Sequence, residues 1–302
     1  MPTPTQSGSV SRPGWLAWSA FPFESRFVEI DGKPIHYIDE GSGPALVFVS
    51  AGQWSFMFRD VILNLRGTFR CLTLDFPGSG LSPSAAGHDN SVQANSAILR
   101  EFIDALDLQD IILAVHDVGG PVGFLIATEQ PHRFRAMVIS NTFGWPLTGY
   151  PAVRRMLRIV ASRPFGVING LTNMMARFTA TSYGVGRKLS RSERRIFIRP
   201  WRSRANRRAT QAVLGGVLRI DPVMARVEPS LRTSLPGLPV LTLFGRKNDP
   251  YGWQARFGEI FPHAQAVGIP DGHHFPFDDD PRAYADAISA WWKNNVLTPA
   301  KP

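Results

Sequence analysis

A single cysteine, Cys71, is present in 302 residues, so no internal disulfide can staple this chain. It sits in the apolar run "FRCLTLDF" and reads as a small buried hydrophobe. No apolar run approaches the roughly 18 residues a helix needs to span a bilayer, which excludes a membrane protein built on such helices. The opening stretch, "MPTPTQSGSVSRPGWLAWSA", is broken by prolines and has no apolar centre. Residues 1–22 therefore read as an exposed arm and not as a secretory signal, and the compartment expected is the cytoplasm. His36, His88, His132 and His263 have no partners at metal-ligand spacing, so no metal is expected. Internal repeats are absent, and nothing in the sequence speaks to oligomeric state.

Acidic residues are scarce in one region. The formal charge is +9, which raises nucleic acid or an anionic membrane as a partner. Between Pro151 and Thr210, fourteen Arg and one Lys face the single acid Glu193, so this internal segment holds all of the excess. The remainder of the chain is net negative. No nucleic-acid module is recognisable and the basic residues are not interleaved with stacking aromatics, so nucleic acid is not expected as a partner. The simplest reading of the segment is a solvated helical face. Two functional readings stand beside it: steering of an anionic substrate, or rest on anionic lipid while an apolar substrate enters.

What is present is a globular composition, 44% hydrophobic against 19% charged, able to build a sizeable core. "RFVEIDGKPIHYIDEGSG" predicts a hairpin around Asp31-Gly32. Then "PALVFVS", "RCLTLDF", "DIILAVH" and "RAMVISN" read as strands buried on both faces, alternating with helices over Phe56–Leu65, Ser91–Leu106 and "GGPVGFLIATEQ". Such alternation predicts an α/β fold with a mostly parallel sheet. It stops at Phe143, gives way to an Arg-rich helical pattern, and resumes at "LPVLTLFG", "AQAVGIP" and a helix over Pro281–Asn295. The expected division is an arm (1–22), a core (23–142 and 229–302) and a helical cap (143–228).

Three polar sites fall just after predicted strands, where open α/β sheets place their ligands. Asp117 lies in "AVHDVGGPVG", a strand entering a helix through a glycine-rich turn, the form of a nucleophile elbow with aspartate in place of serine. Asp249 lies in "LTLFGRKNDPYGW", with Asn248 beside it, and His274 in "GIPDGHHFPFDDDP". An aspartate before a helix is also a common N-cap, but the order nucleophile, acid, histidine favours catalysis. His273 reads as a neighbour, and His116 as support for the elbow.

"DFPGSGLS", "FPFESRFVEIDGKPIHYIDEGSGP", "WSFMFRDVI", "HDVGGPVG", "GRKND" and "HFPFDDDP" together resemble the haloalkane dehalogenases of the α/β-hydrolase superfamily, especially the third subfamily, and more distantly the soluble epoxide hydrolases. The resemblance covers most of 21–142 and 237–295. It implies an α/β-hydrolase core under a cap, no cofactor, and a small organic substrate with water as partners. It also implies a triad of Asp117 as nucleophile, Asp249 as acid and His274 as base. An alkyl ester would form on Asp117, and water activated by His274 would cleave it at an oxyanion hole of Val118 and Gly52 N–H groups.

Two positions depart from the dehalogenase pattern. The halide-binding Trp after the nucleophile is Val118, and the halide-binding Asn of an H-G-N-P-T-W loop falls in the shorter "SAGQW". Gln53, Trp54, Trp145, Tyr150 and Tyr183 are the candidate leaving-group or substrate contacts. Tyr150 and Tyr183 would serve an epoxide hydrolase, the enzymatic rival. A rival of another class is a ligand-binding sensor with a hydrolase pocket and little turnover.

Overall fold

The computed structural model describes residues 12–297. The hairpin forms as β1 (Arg26–Ile30) and β2 (Lys33–Glu40), paired antiparallel about Asp31-Gly32. The remaining strands are β3 (Ala45–Val49), β4 (Arg70–Leu74), β5 (Ile111–His116), β6 (Phe134–Ser140), β7 (Val240–Gly245) and β8 (Gln265–Ile269). Together they make one sheet in the order β1-β2-β4-β3-β5-β6-β7-β8, parallel from β4 to β8.

The sheet is parallel because its strands are apolar on both faces. Successive residues alternate between two cores: Val47 and Val49 of β3, with Leu113 and Val115 of β5, enter one. Leu46 and Phe48, with Ile112 and Ala114, enter the other. Helices Val92–Ala105 and Gly119–Glu129 cover the first face, and Arg59–Leu65 and Pro281–Trp292 the second. The closing helix ends three residues short of Asn295, in a wider turn over Lys293–Leu297. Cys71 is buried in the second core, and burial pushes its thiol up to about 12.

Two expected boundaries move. Residues 12–22 are docked on the core through Leu16 and Phe21, although Gly14 and residues 17–19 stay exposed. The Arg12 guanidinium donates to the carbonyls of Leu16, Phe21 and Phe23, and the Phe21 ring packs against both Trp54 and Phe56. Aromatic burial overrides the proline-broken look of that segment. Residues 1–11 of the expected arm lie outside the described residues. The expected cap limit at 228 falls inside the helix Asp221–Ser234, whose Val227 and Leu231 share a core with Phe124. That helix covers the sheet, so the insertion closes near Ile220. Among the described residues the insertion carries no strand, and no helix is long and apolar enough to cross a membrane.

Because Phe21 is fully buried, Phe21→Ala should lower the unfolding free energy by roughly 3–5 kcal/mol in urea titration. An unchanged midpoint would mean that the N-terminal segment contributes nothing to the core.

Candidate active site

The sheet delivers six loops to one end, at the C-terminal ends of β3, β4, β5, β6, β7 and β8. At the end of central strand β5 the chain reverses at Asp117, which holds a left-handed φ of 49°. A non-glycine residue there is strained unless its surroundings fix it. They do: the Asp117 carbonyl accepts from Gly120 N–H at 3.0 Å and from Thr142 Oγ1 at 2.5 Å. The glycines are required by contact. A Cβ on Gly119 would overlap the Val49 carbonyl, and one on Gly120 would overlap the Thr142 hydroxyl. The turn thus lifts the Asp117 carboxylate above the sheet, at the N-terminus of the helix Gly119–Glu129.

His274 Nε2 stands 3.4 Å from Asp117 Oδ2. Burial disfavours the charged form of Asp117, but the hydrogen bond and positive field of His274, with a smaller contribution from the Val118 N–H, hold its carboxyl below the ordinary range. His116 braces the pair: its Nε2 bonds the His274 carbonyl at 2.7 Å and its ring lies 4.9 Å from that of His274. Burial, and then the adjacent His274, push His116 down to about 3, so it stays neutral at physiological pH.

Asp249, expected as the orienting acid, does not form an ion pair with His274. Its two oxygens accept the Trp253 and Gln254 N–H groups at 2.7 and 3.0 Å, the open end of the helix Trp253–Ile260. That helix end demands acceptors, and Asp249 supplies both. Asn248 takes the place beside the imidazole, with its side-chain amide 3.2 Å from His274 Nδ1. Asn141, after β6, fixes this loop: its amide donates to the Asn248 carbonyl at 3.0 Å and accepts from Gly245 N–H at 2.9 Å. The neighbouring His273 turns away, its ring against Arg187 and its N–H on Asp279.

The loop after β3 passes Gly52 and Gln53 beside Val118, and all three line a cavity of about 690 Å³ that also contains Asp117, Asn248, Asp249 and His274. Its walls are mostly apolar cap side chains such as Leu157, Phe165 and Leu214. The "DFPGSGLS" turn holds the loop in place from behind. Buried Asp75 accepts the Ser55 N–H at 2.7 Å and the Leu81 N–H at 2.9 Å, and pairs with His36 at 2.8 Å.

Of the expected leaving-group contacts, Gln53 and Tyr183 face the cavity, and the Gln53 Oε1 is buried without a partner. Trp54 is turned into the second core, its indole N–H on the Phe197 carbonyl at 3.2 Å and its ring stacked on Phe56. Trp145 is enclosed by Trp253, Phe257 and the Arg256 guanidinium. The Tyr150 hydroxyl accepts from Arg256 at 3.0 Å, with its ring against Tyr251 and Trp253. None of these three lines the cavity, because each ring finds a fuller apolar environment elsewhere. Asn248, Asn141 and Thr142 are the polar residues here that the motifs alone left without a role. Their sequence signal is position alone: each follows a strand end.

A sequence profile described as the alpha/beta hydrolase family matches residues 46–287. The chain belongs to the alpha/beta hydrolase family. Among its relatives in this family, haloalkane dehalogenase 2 of Mycobacterium tuberculosis is 29% identical over 272 residues, covering 89% of this chain and 94% of the relative. The cis-3-alkyl-4-alkyloxetan-2-one decarboxylase of Shewanella oneidensis is 28% identical over 271 residues, covering 85% of each chain. Among solved structures, haloalkane dehalogenase DbeA from Bradyrhizobium elkani USDA94 superposes with a TM-score of 0.77 at 17% identity, over 89% of this chain and 97% of the other. The family and its fold are thereby shown, and the chain is similar to haloalkane dehalogenases over most of its length.

Since Asp249 closes the end of a helix, Asp249→Ala should lower stability by about 1 kcal/mol in urea titration. Unchanged stability would show that the helix end does not depend on this carboxylate.

Proposed function

We propose that this alpha/beta hydrolase acts at saturated carbon through an ester on Asp117. The observation that carries the reading is one constellation: an elbow carboxylate held below its ordinary pKa range, 3.4 Å from a histidine, in a largely apolar cavity. An Asp117 oxygen attacks the carbon, and the carbon–halogen electron pair leaves with the halide. His274 Nε2 then takes a proton from water as the hydroxide adds to the ester carbonyl. The N–H groups of Val118 and of Gly52 or Gln53 receive the oxyanion. Collapse releases the alcohol and restores the carboxylate, while His274 gives up its proton.

Asn248 orients His274 in this scheme. The amide nitrogen is the atom set 3.2 Å from Nδ1. Turned end for end, the same amide presents its oxygen to Nδ1–H and leaves the Nε2 lone pair free for water, but a neutral amide cannot balance the imidazolium as a carboxylate does. Asn248→Asp should therefore speed ester hydrolysis by at least about tenfold, read as the decay rate of the enzyme ester after rapid mixing. A slower decay would contradict this role for the amide.

The halide side of the site is weak. Val118 offers no side-chain donor and Gln53 is left as the side-chain donor of the "SAGQW" loop. Each lost donor removes roughly 3 kcal/mol of leaving-group stabilisation. That weakness favours a second reading on the same nucleophile, and the decarboxylase relative names a fitting substrate class. In a dialkyl oxetan-2-one, attack of Asp117 on the ring carbon bearing oxygen expels a carboxylate that stays tethered to the substrate, so no halide clamp is needed. Loss of CO₂ would then form the alkene and expel Asp117, without water activation by His274. An epoxide substrate has less support, since of the two cap tyrosines only Tyr183 lines the cavity, the other tyrosine there, Tyr251, coming from the loop after β7.

The test is intact mass of the His274→Ala variant after incubation with a 1-bromoalkane. A gain equal to the alkyl group, mapped to Asp117 and absent in Asp117→Asn, is the expected result. Absence of an adduct, together with alkene and CO₂ from a cis-dialkyl oxetan-2-one, would move the protein to the second reading. Binding of both compounds with no adduct and no turnover in the wild type would leave the sensor. The pH dependence has a definite sign. With His274 present, adduct formation should stay constant from neutral to moderately acidic pH, because the Asp117 carboxyl lies below its ordinary range. In His274→Ala only burial remains dominant, so the carboxyl rises and adduct formation should fail at a higher pH. Coincident profiles would contradict the coupling.

A further inference from the structure

Three consecutive cap helices turn large apolar side chains to solvent. Pro151–Ala161 exposes Ile159 at 56%, and Arg163–Thr172 exposes Val167 at 64%, Ile168 at 49% and Leu171 at 69%. Met174–Thr179 exposes Phe178, on which Tyr183 stacks with ring planes 4° apart. Val167, Ile168 and Leu171 stand at i, i+1 and i+4, one side of their helix. A merely solvated face would carry polar residues at those positions.

Arginines alternate with these apolar residues. Arg155, Arg158, Arg163 and Arg177 are exposed, and among the described residues none of them pairs with a carboxylate. No acid occurs from Pro151 to Ser192. The patch is also continuous with the cavity, because Met156, Met174, Phe178 and Tyr183 are both exposed and part of its lining. The mouth of the site thus opens through an apolar surface ringed by unpaired positive charge.

We infer that this face of the cap docks on an anionic lipid surface, with the apolar side chains entering the headgroup region and the arginines meeting lipid phosphates and carboxylates. Charge selects this occupant over a second copy of the chain, since two such faces would bring their arginines together. Docking places the cavity mouth against the bilayer, so that an apolar substrate dissolved there can enter without crossing water. That last step rests on the proposed function; the docking itself does not.

The experiment is flotation of the purified full-length protein with phosphatidylcholine vesicles, with and without phosphatidylserine, in low and high salt. Binding to the phosphatidylserine vesicles should be at least about tenfold above that to phosphatidylcholine alone, and should fall as salt rises. Leu171→Asp and the triple variant Arg155→Ser/Arg158→Ser/Arg163→Ser should each cut it about tenfold with unchanged thermal unfolding, as all four positions are exposed. No binding to anionic vesicles would overturn the inference, as would equal binding by wild type and both variants. A wild-type dimer in light scattering that Leu171→Asp dissociates would assign the face to self-association instead. Because binding is read without turnover, failure here leaves the Asp117 chemistry untouched, and failure of that chemistry leaves the docking result standing.

Discussion

The left-handed turn at Asp117 is the constraint on which the rest of the site depends. It exists because helix Gly119–Glu129 packs so close to β3 and to Thr142 that its first two residues cannot carry a Cβ. The same closeness holds the Asp117 carbonyl and leaves its carboxylate on the cavity side. Backbone geometry, not side-chain choice, thus puts a charged group where a sheet end and a helix N-terminus meet. The attack step of the proposed chemistry needs this group ionised and near carbon.

Around that fixed point the site is asymmetric. Support from below is dense: His116 ties the β5 end to the carbonyl of His274, Asn141 ties β6 to the β7 loop, and Asp75 ties the β3 loop to the turn after β4. Support for charge separation is thin. An amide stands where the imidazole would gain most from a carboxylate, and on the proposed reading a valine without a side-chain donor stands beside the leaving halide. The amide weakens hydrolysis of the ester after attack, and the valine weakens the displacement of a halide, which leaves as Asp117 attacks. They fit a substrate that brings its own stabilised leaving group, and they place the selective burden on the apolar cavity and the cap that encloses it.

How far the sequence could be read follows from what each feature depends on. The alternation of buried strands and amphipathic helices is a local periodicity, so the sheet and the elbow were legible. So was the pairing of Asp117 with His274, because fixed loops at strand ends carry both. The partner of Nδ1 was not, since Asn248 and Asp249 are adjacent and polar. Which one reaches the imidazole depends on the helix end at Trp253 and Gln254 capturing the other. Trp54, Trp145 and Tyr150 misled for a related reason: an aromatic ring follows the largest apolar volume within reach, a tertiary property. The docked segment 12–22 was hidden behind its prolines, although Trp15, Leu16 and Phe21 carried the signal.

The central claim is that Asp117 becomes covalently attached to carbon. It is tested most directly by one turnover of a 1-bromoalkane by the wild-type protein in heavy-oxygen water, followed by mass analysis of both the alcohol and the Asp117 peptide. The account predicts ordinary oxygen in the alcohol and heavy oxygen in the Asp117 carboxylate, because water attacks the ester carbonyl. Heavy oxygen in the alcohol with Asp117 unlabelled would mean direct attack by water on the substrate, and would contradict it.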